Sequence, residues 1–186
     1  MAEERPWQVR EAMATVRSPW LTLIGERLED PQGQIHDYWR VEKADSVIIL
    51  PLHRGEILLP PRQYRPGVGA YTWDFPGGRL PAGWEPEAIA PVILQRELGV
   101  QGEADLATLT PLNPEGWLIN SAFSNQRLYG FIAHLNADAV IAAATSGGRY
   151  PFTPSGIAQL SQQLTCLQCR AVLLEYCLAQ APDLLW

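Results

Sequence analysis

Gly77-Gly78-Arg79-Leu80-Pro81-Ala82-Gly83-Trp84-Glu85-Pro86-Glu87-Ala88-Ile89-Ala90-Pro91-Val92-Ile93-Leu94-Gln95-Arg96-Glu97-Leu98-Gly99-Val100 reads as a strand end, a loop and a helix in succession. Paired glycines after Thr72-Trp73-Asp74-Phe75-Pro76 leave backbone N–H groups open to a ligand. Pro86 predicts the helix start, because a first-turn N–H has no partner in any case. Gly99 predicts its end, because a residue past the last turn commonly adopts the left-handed conformation. Pro91 falls inside the helix, where it removes a hydrogen bond and crowds the preceding turn at about 3 kcal/mol, so a kink is predicted there.

Working outward, residues 20 to 27 and about 35 to 42 read as strands joined by the turn Asp30-Pro31-Gln32-Gly33, in which proline presets φ and glycine accepts positive φ. They form a hairpin ahead of the main domain. Residues 45 to 52 and 56 to 60 are apolar strands around the turn His53-Arg54-Gly55, and their continuous apolar character places them centrally in a sheet. Arg62-Gln63-Tyr64-Arg65-Pro66-Gly67-Val68-Gly69 is a glycine-punctuated approach to the Gly77-Gly78 strand. Further strands are predicted at 105 to 112 and 126 to 135, a loop at 139 to 154 and one long apolar helix from about 155 to 180. The reading is an α/β (α+β) chain with an N-terminal segment and hairpin over residues 1–43, a dimerisation candidate, and a main domain over 44–186.

The composition narrows the function. Only 18% of residues are charged, below the usual quarter, which points to a large buried or interfacial surface. A net charge of -6 and a single lysine, Lys43, exclude a general binder of nucleic-acid backbones, which needs clustered cations; a small organic anion stays open as a ligand. The N-terminus has no apolar signal core and no run approaches a membrane span, so the expectation is a cytoplasmic protein without membrane contact. Of three cysteines, Cys166 and Cys169 form a C-x-x-C pair and Cys177 follows in the same apolar stretch. Buried thiols on a helix are one reading, redox or zinc chemistry the other. His36, His53 and His134 form no ligand or triad set.

From about residue 18 to 135 the chain resembles the ADP-ribose pyrophosphatases of the Nudix hydrolase superfamily. The resemblance rests on Ser18-Pro19-Trp20, the Asp30-Gly33 turn, Arg62-Gln63-Tyr64-Arg65-Pro66, Trp73-Asp74-Phe75-Pro76-Gly77-Gly78 and Ala122-Phe123-Ser124-Asn125-Gln126-Arg127, in that family's order and at its intervals. It implies a Nudix fold, a mixed β-sheet sandwiched between helices, with the N-terminal hairpin exchanged in a homodimer. It also directs attention to the Nudix motif, G-x5-E-x7-R-E-U-x-E-E-x-G-U with U apolar, whose glutamates hold Mg²⁺ or Mn²⁺ against a diphosphate. Oxygen ligands suit such hard cations, and carboxylates one turn apart share a helix face.

Aligned without gaps, Gly78 takes the first glycine, Gly99 the last and Val100 the closing apolar position, but the box is degenerate. Trp84 stands for the first glutamate, Val92-Ile93 for Arg-Glu, and Arg96 for the first of the Glu-Glu pair, leaving Glu97. A rival register places Arg96-Glu97-Leu98 on Arg-Glu-U at the cost of an insertion and a deletion, and it also lacks the Glu-Glu pair. The acidic loop expected after the 126–135 strand is replaced by residues 136 to 150, where Asp138 is the one carboxylate. No general base stands where the geometry needs one.

By the same resemblance Trp20 and Tyr38 match the adenine-stacking aromatics, Arg65 the phosphate-contacting arginine, Asp74 a family glutamate, and Gly77 with Gly78 a backbone contact; Glu97 is the remaining catalytic or metal candidate. Each has a plainer alternative: packing for Trp20, an exposed or structural role for Arg65, capping or ion pairing for Glu97. Two functions follow. One is a catalytically weak or inactive nucleotide-binding, regulatory or adaptor protein for a ligand such as ADP-ribose, with no resident cofactor and with a possible protein partner. The other is an active Mg-dependent hydrolase of ADP-ribose or another linked nucleoside diphosphate, working through Glu97, Asp74, Glu85 or Glu87. A third reading is a structural subunit whose cleft is filled by Trp84.

Overall fold

The computed structural model describes residues 5–141 and 147–180. Its elements, in chain order, are β1 (Gln8–Arg17), β2 (Thr22–Glu29), β3 (Ile35–Glu42), β4 (Ser46–His53), β5 (Glu56–Leu59), β6 (Gln63–Arg65), β7 (Ala70–Thr72), β8 (Gly77–Arg79), α1 (Pro86–Leu98), α2 (Gly102–Asp105), β9 (Leu106–Pro111), β10 (Trp117–Leu118), β11 (Arg127–Leu135), β12 (Gly148–Pro151), α3 (Pro154–Gln163) and α4 (Leu167–Gln180). They divide into two units, one running to Ala44 and including Leu118–Arg127, the other comprising Asp45–Trp117 and the chain from Leu128.

The first unit is an antiparallel sheet in the order β1-β2-β3. The predicted turn is closed by Asp30, whose Oδ1 accepts from the backbone of Gln32 and Gln34, each at 2.9 Å, while Gly33 has φ 80°. β2 begins at Thr22 rather than residue 20, because the hydroxyl oxygen of Ser18 accepts from the N–H groups of Trp20 and Leu21 and holds a turn there. The sequence reading missed β1. All but Met13 and Ala14 of its residues are exposed, so no alternation marks it; cross-strand pairs such as Arg10–Glu29 at 2.6 Å and Arg27–Glu11 at 2.8 Å help to set its register. Exposed pairs of this kind are screened by solvent, so they choose the pairing more than they stabilise it.

In the second unit β11, β4, β5 and β12 lie side by side in that order, with β8 also pairing β4 and β9 also pairing β11. The β11–β4 pair is parallel and the others are antiparallel. Every residue of β4 after Ser46 is buried, as a strand covered on both faces requires. Val47 and Ile49 join Ile89, Ile93, Leu94 and Leu98 of α1 in one apolar cluster. Side chains alternate along a strand, so the intervening Ile48 and Leu50 face the other way; α4 is the other helix packed on β4. This is the predicted mixed sheet between helices.

Several expectations change. α1 begins at Pro86 and ends at Gly99, which has φ 75°, as predicted, but it passes through Pro91 as one 13-residue helix. Pro91 lies early in the helix, and the carbonyl it leaves unpaired belongs to exposed Glu87, where water can replace the lost bond. The single helix predicted over 155–180 is two, α3 and α4. The break at 164–166 is stabilised by Arg170, whose Nη1 donates to the carbonyls of Ser161 at 2.6 Å and Leu164 at 3.2 Å, and so satisfies groups that a helix end leaves open. The stretch read as loop over 139–154 contains β12, which pairs with β5; residues 142–146 lie outside the described residues, as do 1–4 and 181–186 of the terminal segments. His53 closes β4, opposite Glu56, rather than sitting in the turn.

Candidate functional site

Gly77 and Gly78 run alongside Ile48 and Val47 of β4. A Cβ at Gly77 would lie 3.0 Å from the carbonyl oxygen of Val47, and one at Gly78 would lie 3.3 Å from Nη2 of Arg96. Close approach to the β4 backbone thus favours glycine at 77, whereas at 78 a Cβ would press on the end of the Arg96 side chain. At the far end of α1 the left-handed Gly99 donates its N–H to the Gln95 carbonyl at 3.0 Å and closes the helix just after Arg96 and Glu97. Arg96 Nη2 reaches back to the Gly77 carbonyl at 2.9 Å and to Glu97 Oε1 at 2.5 Å. The Glu97 side chain is 12% exposed, that of Arg96 58%.

The opposite wall comes from the β6–β7 hairpin, turned by Pro66–Gly69, where the N–H groups of Val68 and Gly69 both donate to the Arg65 carbonyl. Arg65 grips Oδ2 of Asp74 with Nε and Nη2, each at 2.7 Å, and Thr72 Oγ1 donates to the same oxygen at 3.0 Å. Arg62 Nη2 donates to the Tyr71 carbonyl at 2.5 Å, and its guanidinium carbon lies 5.6 Å from the centre of the Trp73 ring. Between these groups is a cleft of about 570 Å³ lined by Pro60, Pro61, Arg62, Gln63, Arg65, Gly77, Arg96 and Glu97. Its three guanidinium groups, two of them ion-paired, to Asp74 and to Glu97, offer planar donors suited to phosphate or carboxylate.

The donor set does not fit Mg²⁺ or Mn²⁺. Hard cations need several oxygen ligands; Glu97 is the one carboxylate lining the cleft, and a cation already holds it. Glu85 and Glu87 are exposed at the start of α1. Among the described residues, the group of three His, Cys, Asp or Glu ligand atoms within 4.8 Å of one another is Asp74, Cys166 and Cys169, a sulfur-rich set behind Arg65 rather than a carboxylate cluster.

Of the sequence candidates, Arg65, Gly77 and Glu97 line the cleft, Gly78 supports Arg96, and Asp74 holds Arg65 from outside the lining. Trp20 and Tyr38 belong to the first unit. Trp20 is 72% exposed in the Ser18–Leu21 turn, and Tyr38 donates its hydroxyl to the Ala122 carbonyl and receives the Trp7 ring edge-on at 6.4 Å. Trp84 is 48% exposed and absent from the cleft lining, so it does not fill the cleft. The sequence reading overlooked Arg62 and treated Arg96 as an intruder among missing carboxylates. The signal was there in Arg62-x-x-Arg65 beside a glycine pair, but only the fold turns Arg96 towards them.

No family model matches the chain. Over 96 residues it is 31% identical to the ADP-sugar pyrophosphatase of Mus musculus, a match that takes in 45% of this chain and spans 44% of that protein. Among solved structures it superposes on an ADP compounds hydrolase with a TM-score of 0.76 at 17% identity, covering 97% of this chain and 99% of the other. The chain has the mixed α+β fold of the Nudix hydrolases, and its sequence likeness to that pyrophosphatase covers less than half of either chain.

Proposed function

We propose that the chain binds an organic diphosphate of the ADP-ribose type in the Arg62–Arg65–Arg96 cleft and hydrolyses it weakly or not at all, serving as a nucleotide-responsive or adaptor protein. The supporting observation is the make-up of the cleft: three arginines and one carboxylate line it, where a metal-dependent enzyme of this kind concentrates acid. Guanidinium groups supply the countercharge that divalent ions would otherwise provide. Being fixed side chains, they leave no activated water in line with phosphorus. In this reading the apolar side chains exposed on one face of the first unit, Val16, Ile35 and Trp39, form a homodimer surface.

Calorimetry with ADP-ribose, with and without Mg²⁺ or Mn²⁺, beside a phosphate-release assay, tests the proposal. Binding that persists in chelator with negligible turnover supports it; rapid metal-dependent turnover overturns it. The second reading, an active hydrolase using Glu97, draws on the likeness to proteins named for hydrolysing ADP compounds. In that case Glu97→Gln abolishes the activity.

A further inference from the structure

We propose that Cys166 and Cys169 form a redox-active dithiol, a thiol–disulfide exchange site in which Cys166 is the attacking sulfur and Cys169 the resolving one.

Position makes the pair competent. Cys166 is the residue before α4, and its carbonyl accepts the N–H of Arg170 at 3.1 Å as the first bond of that helix. Cys169 lies in the first turn, and the two sulfurs and a carboxylate oxygen of Asp74 are all within 4.8 Å of one another. Residues three apart on a helical turn bring their Cβ atoms to about 5–6 Å. Cys166 sits outside the regular helix, so its dihedrals can close the remaining distance to a disulfide.

The two thiols are also unequal in the way exchange requires. Cys166 is half-buried and open to a small reagent, whereas Cys169 is 1% exposed. The Cys166 thiol is lowered to about 6, chiefly by a hydrogen bond from the Cys169 thiol and further by the N–H groups of Cys169 and Gln168. That same hydrogen bond and burial push Cys169 well above the ordinary thiol range. At neutral pH the reachable sulfur is therefore the thiolate nucleophile, and the buried one keeps its proton. Cys177, fully buried and raised by burial alone, has neither property.

The oxidant is a low-molecular-weight disulfide. The Cys166 thiolate attacks one of its sulfurs, forming a mixed disulfide and expelling one thiolate. Cys169 then loses its proton and attacks Cys166, forming the intramolecular bond and expelling the second half as thiol; the protein is oxidised by two electrons and the reagent reduced by two. Oxidation has a structural consequence, because Cys169 Sγ, whose one hydrogen is shared between Cys166 and Asp74, lies 3.9 Å from Asp74 Oδ1. A disulfide has no hydrogen to donate, so Asp74 is left to Thr72 and Arg65. The dithiol chemistry does not depend on the anion-binding reading.

The test treats the native full-length chain with glutathione disulfide, then counts free thiols and maps peptides by mass. The expected result is a fall from the three thiols of the sequence to one, with a Cys166–Cys169 bridge and Cys177 unmodified. Cys166→Ser, which keeps a good helix-capping side chain, is expected to lose no thiols under the same treatment. Retention of all three thiols by the native chain, a lasting glutathione adduct on Cys166 without closure, or zinc held stoichiometrically and released by Cys166→Ser would each overturn the proposal.

Discussion

Arg96 and Glu97, neighbours in the chain, are ion-paired at 2.5 Å across the last turn of α1, with the carboxylate nearly covered and the guanidinium open to the cleft. The single carboxylate of the cleft thus arrives already neutralised, and the exposed partner is a cation. Glu97→Gln is accordingly expected to leave ADP-ribose affinity unchanged or to raise it a few-fold, since removing the charge releases Arg96 to the ligand. Calorimetry decides; a tenfold loss of affinity would show that Glu97 contacts the ligand or its metal.

Arg65 offers its fork to the cleft while Asp74 holds it. Arg65→Ala is expected to weaken diphosphate binding about tenfold, from the loss of charge-assisted bonds worth roughly 1.5–3 kcal/mol less the screening at a half-exposed site. Arg65→Lys should recover only part of the loss, because an ammonium cannot present a fork. Titrations at two salt concentrations check both points.

The thiol of Cys166 owes its lowered value first to the Cys169 hydrogen bond. Its alkylation rate should rise with pH through a midpoint near about 6 as thiolate accumulates, and level off above it. In Cys169→Ala the midpoint should move up towards an ordinary thiol, about 8.5. Iodoacetamide kinetics followed by mass spectrometry report both curves, and an unshifted midpoint in the variant would remove Cys169 as the cause.

Buried Asn113 clamps the β11 backbone, donating from Nδ2 to the Leu128 carbonyl and accepting the Gly130 N–H at Oδ1, both at 2.7 Å. Asn113→Ala strands two backbone groups and should cost about 2–6 kcal/mol, at roughly 1–3 kcal/mol for each buried group left unpaired. Denaturant unfolding measures it, and a loss under half a kcal/mol would show that water takes over both bonds.

Val16, Ile35 and Trp39 are exposed on one face of the first unit's sheet. Light scattering is expected to give a dimer, and Trp39→Glu to give a monomer that keeps the native circular dichroism. A monomeric native chain contradicts the proposed surface.

What the sequence determined by itself is the local grammar of the second unit. β4, β5, α1 and β11 fall where apolar runs, Pro86 and Gly99 predicted them, because each is specified by residues within its own length: buried strands are continuously apolar, and helix ends have their own chemistry. That α1 carries only two carboxylates, Glu87 and Glu97, was equally legible. Three things needed the tertiary structure. β1 carries no apolar alternation, and its place follows from pairing along β2, where cross-strand ion pairs help to set the register. The helix predicted over 155–180 breaks where Arg170 folds back onto carbonyls that no local pattern identifies. The arginines of the cleft stand at positions 62, 65 and 96 on a hairpin and a distant helix end, so their shared field exists only once the chain brings them together. Propensity and capping act over one turn or one strand; charge complementarity acts through space, and for that reason the fold of this protein could be read along the chain while the character of its site could not.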